Sequence, residues 1–211
     1  MKLLENLVGK VKPHFEEGGK LENYYYGFEA LETFLFVPAQ TSQGTHIKDG
    51  IDLKRTMFTV VVAMIPALLF GIWNVGQQHF VAMGELTALS EGFMDKFMYG
   101  SLKVLPIVIT AYGVGLGIEF VFAIIRKHPV NEGFLVSGML IPLIMPPTIP
   151  LWMVAVATAL AVIIGKEAFG GTGMNIFNVA LMARVFVFFA HPTYMSGDLV
   201  WVAGDASLFV D

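Results

Sequence analysis

Apolar runs separated by short polar or proline-rich breaks fill residues 57–190, and both flanks are polar. The first run, Met57 to about Gly76, holds twenty residues without a charge, long enough to cross a bilayer as a helix. A loop carrying Glu85, Glu91, Asp95 and Lys96 follows. The second run extends from about Val104 to Ile125, contains Glu119, and ends in Arg126, Lys127 and His128. Next come two short stretches, Phe134–Met145 and Leu151–Ile164, separated by Pro146, Pro147 and Pro150. They read either as broken helices that bring backbone into the membrane interior or as two tilted helices joined by a proline turn. A last run starts at Asn175 or Ile176, contains Arg184, and stops at Ala190. The pattern predicts an all-α, polytopic membrane protein with about five transmembrane helices, some short or broken.

Three regions follow: an N-terminal extension (1–56), a transmembrane domain (57–190) and a tail (191–211) predicted to lie outside the cytoplasm. The extension holds seven Lys/Arg and eight Asp/Glu. Leu3, Leu4, Leu7, Val8 and Val11 have the spacing of a short amphipathic helix. After Gly18-Gly19 come Tyr24, Tyr25, Tyr26, Phe28, Phe34 and Phe36, either an interfacial aromatic belt or a lip over a site for a ring compound. Pro38–Gly50 reads as a polar loop.

Composition narrows the class. The chain is 55% hydrophobic and 14% charged, with a mean hydropathy of +0.68, too apolar for an ordinary soluble domain. It has no cysteine, which removes disulfides and thiolate metal sites. A net charge of −4 gives no reason to expect nucleic acid. The N-terminus lacks the apolar core of a secretory signal. Lys54/Arg55, Arg126/Lys127 and Lys166 fall on alternate loops, so the positive-inside rule predicts a cytoplasmic N-terminus.

Candidate chemistry gathers where polar groups interrupt apolar runs. Lys166-Glu167 leads into Gly170, Gly171 and Gly173, then Asn175 and Asn178. Such glycines either cap and pack helices or offer backbone N–H donors to an anionic or hydrogen-bonding ligand. Glu119 within an apolar helix requires a pair, a cation or a proton. Arg184 or a basic residue of a neighbouring protein is the pairing expected from sequence. Gly113, Gly115 and Gly117 thin the same helix, allowing close packing or room for a planar ligand.

The blocks HFEEGGK, IDLKR, RKHPVNEGF, MPPTIPLW, KEAFGGTG, FFAHP and SGDLVW run in this order from His14 to Trp201. Together they resemble the NqrB membrane component of the sodium-translocating NADH:quinone oxidoreductases. The N-terminal extension favours NqrB over the related RnfD component of the Rnf complex. The resemblance implies a bacterial inner-membrane complex that passes electrons from NADH through flavins to quinone and exports Na⁺, with other subunits as partners. It implies a body of two related halves, of which this chain would supply the first.

The resemblance also assigns roles by position. Asn175 and Asn178 match asparagines near a noncovalent riboflavin, and Glu119 and Glu29 match acidic residues tied to Na⁺ uptake. Gly115, Phe186 and Phe188 match the quinone and inhibitor region, with Tyr24, Tyr25 and Tyr26 as a wall of the quinone site. Leu116 stands where the family has a second glycine, and Met174 and Val179 replace the arginine and proline of GGTGRNFLNP. Family members carry FMN on the threonine of a Ser-Gly-Ala-Thr motif. That motif does not occur in the 211 residues, so this stretch is expected to bear no covalent FMN. No acid–base or nucleophilic catalyst and no metal cluster is expected. The alternatives are a passive transporter without redox function and an inert assembly scaffold.

Overall fold

The computed structural model describes residues 53–85, 88–126 and 133–203, with scattered positions between 8 and 32. Tyr26, Phe34, Phe36, the loop at Pro38–Gly50, Lys127, His128 and the tail beyond Ala203 lie outside the described residues, as does most of the predicted amphipathic helix. Every regular element among the described residues is helical.

Five α-helices form the body: α1 (Leu53–Ala82), α2 (Phe93–Arg126), α3 (Phe134–Ile144), α4 (Leu151–Gly165) and α5 (Val179–Ala190). Three stretches are long and apolar enough to cross a membrane: Arg55–Ala82, Phe93–Arg126 and Leu151–Phe169. At a rise of about 1.5 Å per residue, α3 and α5 span only about 16 and 18 Å, short of a hydrocarbon core of about 30 Å. Short apolar helices were expected, and their ends continue as irregular backbone. Met145, Pro146, Pro147 and Ile149 after α3 are buried in protein, the condition for non-helical backbone at membrane depth.

Two boundaries differ from the sequence reading. Helix α1 begins before Met57 and runs past Gly76 through Gln77, Gln78 and His79. Hydropathy ended it too early because Gln77 is buried and His79 stacks on Tyr99 of α2, while Gln78 is exposed. Likewise Asp95 and Lys96 belong to the first turn of α2 instead of a loop. Lys96 is wholly buried and donates to the Ala88 carbonyl at 2.6 Å. Pro66 and Pro106 lie inside α1 and α2 without ending them.

Helix α2 packs on α1, α3 and α4, while α5 packs on α3 and α4. Four helices thus form a ring in the order α2, α3, α5, α4, and α1 lies outside it against α2 and α3. The core joins Ile107 and Ala111 of α2, Phe134 and Ile141 of α3, Val154, Ala157 and Ala161 of α4, and Ala183 and Val187 of α5. The α1–α2 crossing is close enough for backbone contact. A Cβ at Gly100 would lie 1.8 Å from the Ile72 carbonyl oxygen, and one at Gly76 1.9 Å from that of Lys96. The outer faces remain apolar: Phe58, Phe70, Leu102, Ile109, Phe189 and Ile125 are all exposed.

Candidate functional site

The basic end of the bundle, where α2 and α4 finish, holds a buried group of charges. Helix α4 ends at Gly165, and a 3-10 turn over Glu167–Phe169 carries the chain away. Gly170, Gly171 and Gly173 take positive φ values of 113°, 101° and 91°, a region costly for a residue with a Cβ. This reversal leaves Lys166 and Glu167 facing inward. Lys166 Nζ donates to Glu119 Oε1, with the two side chains only 4% and 3% exposed. Glu119 Oε2 is also buried and has no hydrogen-bond partner. Beside this pair, Arg126 donates to the Glu167 backbone carbonyl at 2.7 Å and reaches its carboxylate at 3.4 Å.

The expected pairing of Glu119 with Arg184 is therefore corrected. Arg184 donates to the Ile144 carbonyl at 3.1 Å and stands 5.6 Å from the Trp201 ring centroid, at the opposite end of the bundle. Lys166 was legible only as a charge marking a loop. Its position at the end of an apolar run, directly before a glycine-rich reversal, was the signal that it could turn inward.

The asparagines have distinct local duties. Asn178 Oδ1 accepts from the backbone N–H groups of Ala180 and Leu181, so it caps α5, which starts at Val179 instead of Asn175 or Ile176. Asn175 bridges its own loop, accepting from Gly173 N at 3.2 Å and donating to the Phe177 carbonyl at 3.0 Å. Both are exposed, beside exposed Met174, Ile176 and Phe177. The cap uses only the oxygen of Asn178, leaving its Nδ2 as a donor. Thr172 packs against Gly133 at the start of α3, with its hydroxyl buried and unpartnered.

Gly115 lies one helical turn before Glu119, and both are buried. A Cβ at Gly115 would stand 1.8 Å from the Phe134 ring, so here the missing side chain makes room for an aromatic of the protein itself. Gly113 and Gly117 face open space. Leu116 packs at the margin of the core. Phe186 and Phe188 are exposed on α5, which packs on α3 and α4. In the extension, Tyr24 is exposed while Tyr25 and Glu29 are half-buried. There, Lys12 pairs with Glu32 at 2.7 Å and Phe15 stacks on Phe28 at 4.7 Å. The structure thus joins Gly115 and Glu119 on one face of α2 and carries Phe186 and Phe188 on another helix, α5. Among the described residues, no group of His, Cys, Asp or Glu is arranged to hold a metal by itself.

A family model described as the NQR2, RnfD, RnfE family matches residues 40–208. The chain is 47% identical to the NqrB component of the Na(+)-translocating NADH-quinone reductase of Stutzerimonas stutzeri, over 94% of this chain and 54% of that protein. It is 45% identical to the protein of the same name from Ectopseudomonas mendocina, with the same coverage, and 42% identical to that of Klebsiella pneumoniae, over 96% of this chain and 55% of that protein. The chain spans about half the length of these curated relatives. With the match covering most of the sequence, the chain belongs to the NQR2, RnfD, RnfE family.

Proposed function

We propose that this chain is one membrane-embedded half of an NqrB-type protein in a complex that passes electrons from NADH through flavins to quinone and exports Na⁺. The observation that carries this reading is Glu119, a buried carboxylate on a membrane helix with one oxygen paired and the other unpartnered. A hard carboxylate oxygen held without a donor is suited to a small hard cation. The names of the relatives supply the redox context.

Within that reading, Glu119 binds the cation and Glu29 lies on its approach. Asn175 and Asn178 would hold riboflavin by hydrogen bonds, with the exposed Phe177 and Ile176 beside them. Riboflavin, when bound, supplies the redox chemistry. The family resemblance assigns Gly115 and Leu116 of α2, Phe186 and Phe188 of α5, and Tyr24, Tyr25 and Tyr26 of the extension to the quinone and inhibitor region. The basic end faces the cytoplasm, following the positive-inside rule. The apolar outer faces meet lipid and the other subunits.

The test uses the complete complex with Glu119→Gln. Na⁺ stimulation of quinone reduction is expected to be lost while bound flavin stays. Undiminished Na⁺ stimulation would overturn the reading of Glu119. Loss of riboflavin from a folded Asn175→Leu, Asn178→Leu complex supports the flavin site, and full retention counts against it. A complex that contains no flavin at all points to the passive-transporter alternative. Because the family also includes RnfD and RnfE, an Rnf-type protein is the second reading. Quinone-dependent NADH oxidation separates the two.

A further inference from the structure

The partner of Glu119 raises a question of charge. Glu119, Lys166, Glu167 and Arg126 sum to zero, and the first three are buried. An added Na⁺ would place an uncompensated positive charge beside the Lys166 ammonium, at a low-dielectric site where such repulsion is large. Binding at Glu119 with Lys166 in its present place is therefore opposed. The Lys166 side chain is long and flexible, and its ammonium is a compact point charge able to move between acceptors. A second acceptor is carried by the next residue in the chain: the buried Glu167 carboxylate, which Arg126 holds only at 3.4 Å while its shorter bond goes to the backbone carbonyl.

We infer that Lys166 is a tethered cation that occupies Glu119 and must leave it, moving toward Glu167, for a monovalent cation to bind. This rests on the proposed reading of Glu119 as a cation site. Lys166 is a positioning residue in this scheme: it sets the apparent affinity of Glu119 for the ion and ejects the ion when it returns.

The experiment measures the Na⁺ dependence of quinone reduction in the full complex, separating the KM for Na⁺ from kcat. Lys166→Met removes the competitor, and the KM for Na⁺ is expected to fall by about tenfold or more, with kcat reduced because release loses its driving group. Glu167→Gln removes the second resting place and keeps the carbonyl that anchors Arg126, so the KM is expected to rise. Lys166→Arg is expected to raise it too, because a guanidinium fork can occupy both carboxylate oxygens at once. Opposite shifts support the exchange, since structural damage would not move KM in two directions. If Lys166→Met fails to assemble, the other two substitutions still decide: an unchanged KM in both overturns the inference. Unsubstituted complex without Na⁺ dependence, or an unchanged KM in Glu119→Gln, overturns the underlying reading instead.

Discussion

The two ends of the bundle satisfy their polar groups by different means. At the basic end, Lys166 and Arg126 meet Glu119 and Glu167, and a carboxylate oxygen is left over. At the opposite end, side chains hold the backbone. The Ala203 carbonyl accepts from His79 Nδ1 and from Tyr99 Oη, and Arg184 donates to the Ile144 carbonyl. His79 and Tyr99 are stacked with ring centroids 3.8 Å apart, and Trp152 meets His191 edge-on. Ion pairs with a spare acceptor can change partners, whereas a carbonyl with two donors is simply held. One end has the chemistry of exchange and the other of fixation.

The largest expected difference comes from removing one cation at each end. Lys166→Met leaves the Glu119 charge buried and unpaired, which should cost about 3–5 kcal/mol of stability. Adding Glu119→Gln should recover most of that. Arg184→Met removes a charge that faces a neutral carbonyl and a ring, and the expected loss is about 1.5–3 kcal/mol. Thermal melting of the detergent-solubilised complex compares the two. An equal loss at both ends, or no recovery in the double substitution, would erase the distinction.

Helix contacts sharpen the same comparison. Gly115→Ala near Glu119 pushes a methyl group into the Phe134 ring, and overpacking of this kind costs about 1–3 kcal/mol. The ring can turn, so Phe134→Leu in the same chain should relieve the strain. Gly100→Ala, at the other end, meets the Ile72 backbone carbonyl and forces two helices apart, so its loss should exceed that of Gly115→Ala. Gly113→Ala and Gly117→Ala serve as controls and should melt almost unchanged, because nothing stands within 4 Å of their added Cβ.

How much of this was legible in the sequence depends on whether a feature is local. Apolar runs gave the membrane class and the short α3, since burial of every face leaves a plain compositional trace. They missed the ends of α1 and α2, where polar residues such as Gln77 and Lys96 stay helical by packing on each other's helices. Glu119 stood out because a carboxylate in an apolar run is costly wherever it points. Its partner did not, because Lys166 lies 47 residues away. Only the direction in which the chain turns after α4 brings the two together. The pairing of Arg126 with Glu167 was hidden for the same reason.

Asn178 and Asn175 offer a finer test at the basic end, because the same substitutions can report structure or ligand. Asn178→Ala removes the oxygen that caps α5 and should cost about 1 kcal/mol in melting. Asn175→Ala acts on an exposed loop and should cost less. If riboflavin is lost from both in proportion to stability, the asparagines merely shape the loop. Loss of flavin from Asn175→Ala with an unchanged melting temperature assigns it to the ligand.

The smallest effect is expected at the fixed end. Tyr99→Phe keeps the ring stacked on His79 and removes only the hydroxyl that donates to Ala203 at 3.1 Å. The carbonyl retains His79, so no buried acceptor is orphaned and the loss should be about 0.5–1.5 kcal/mol. Removing His79 as well strips the carbonyl of both donors. The loss in the double substitution should then exceed the sum of the single losses, because the cost of an unsatisfied carbonyl appears only when the last donor goes. Strict additivity would mean that the two donors act independently and that Ala203 finds another partner. The end would then be adaptable, and the contrast with the basic end would lie in charge alone rather than in how firmly each end holds its groups.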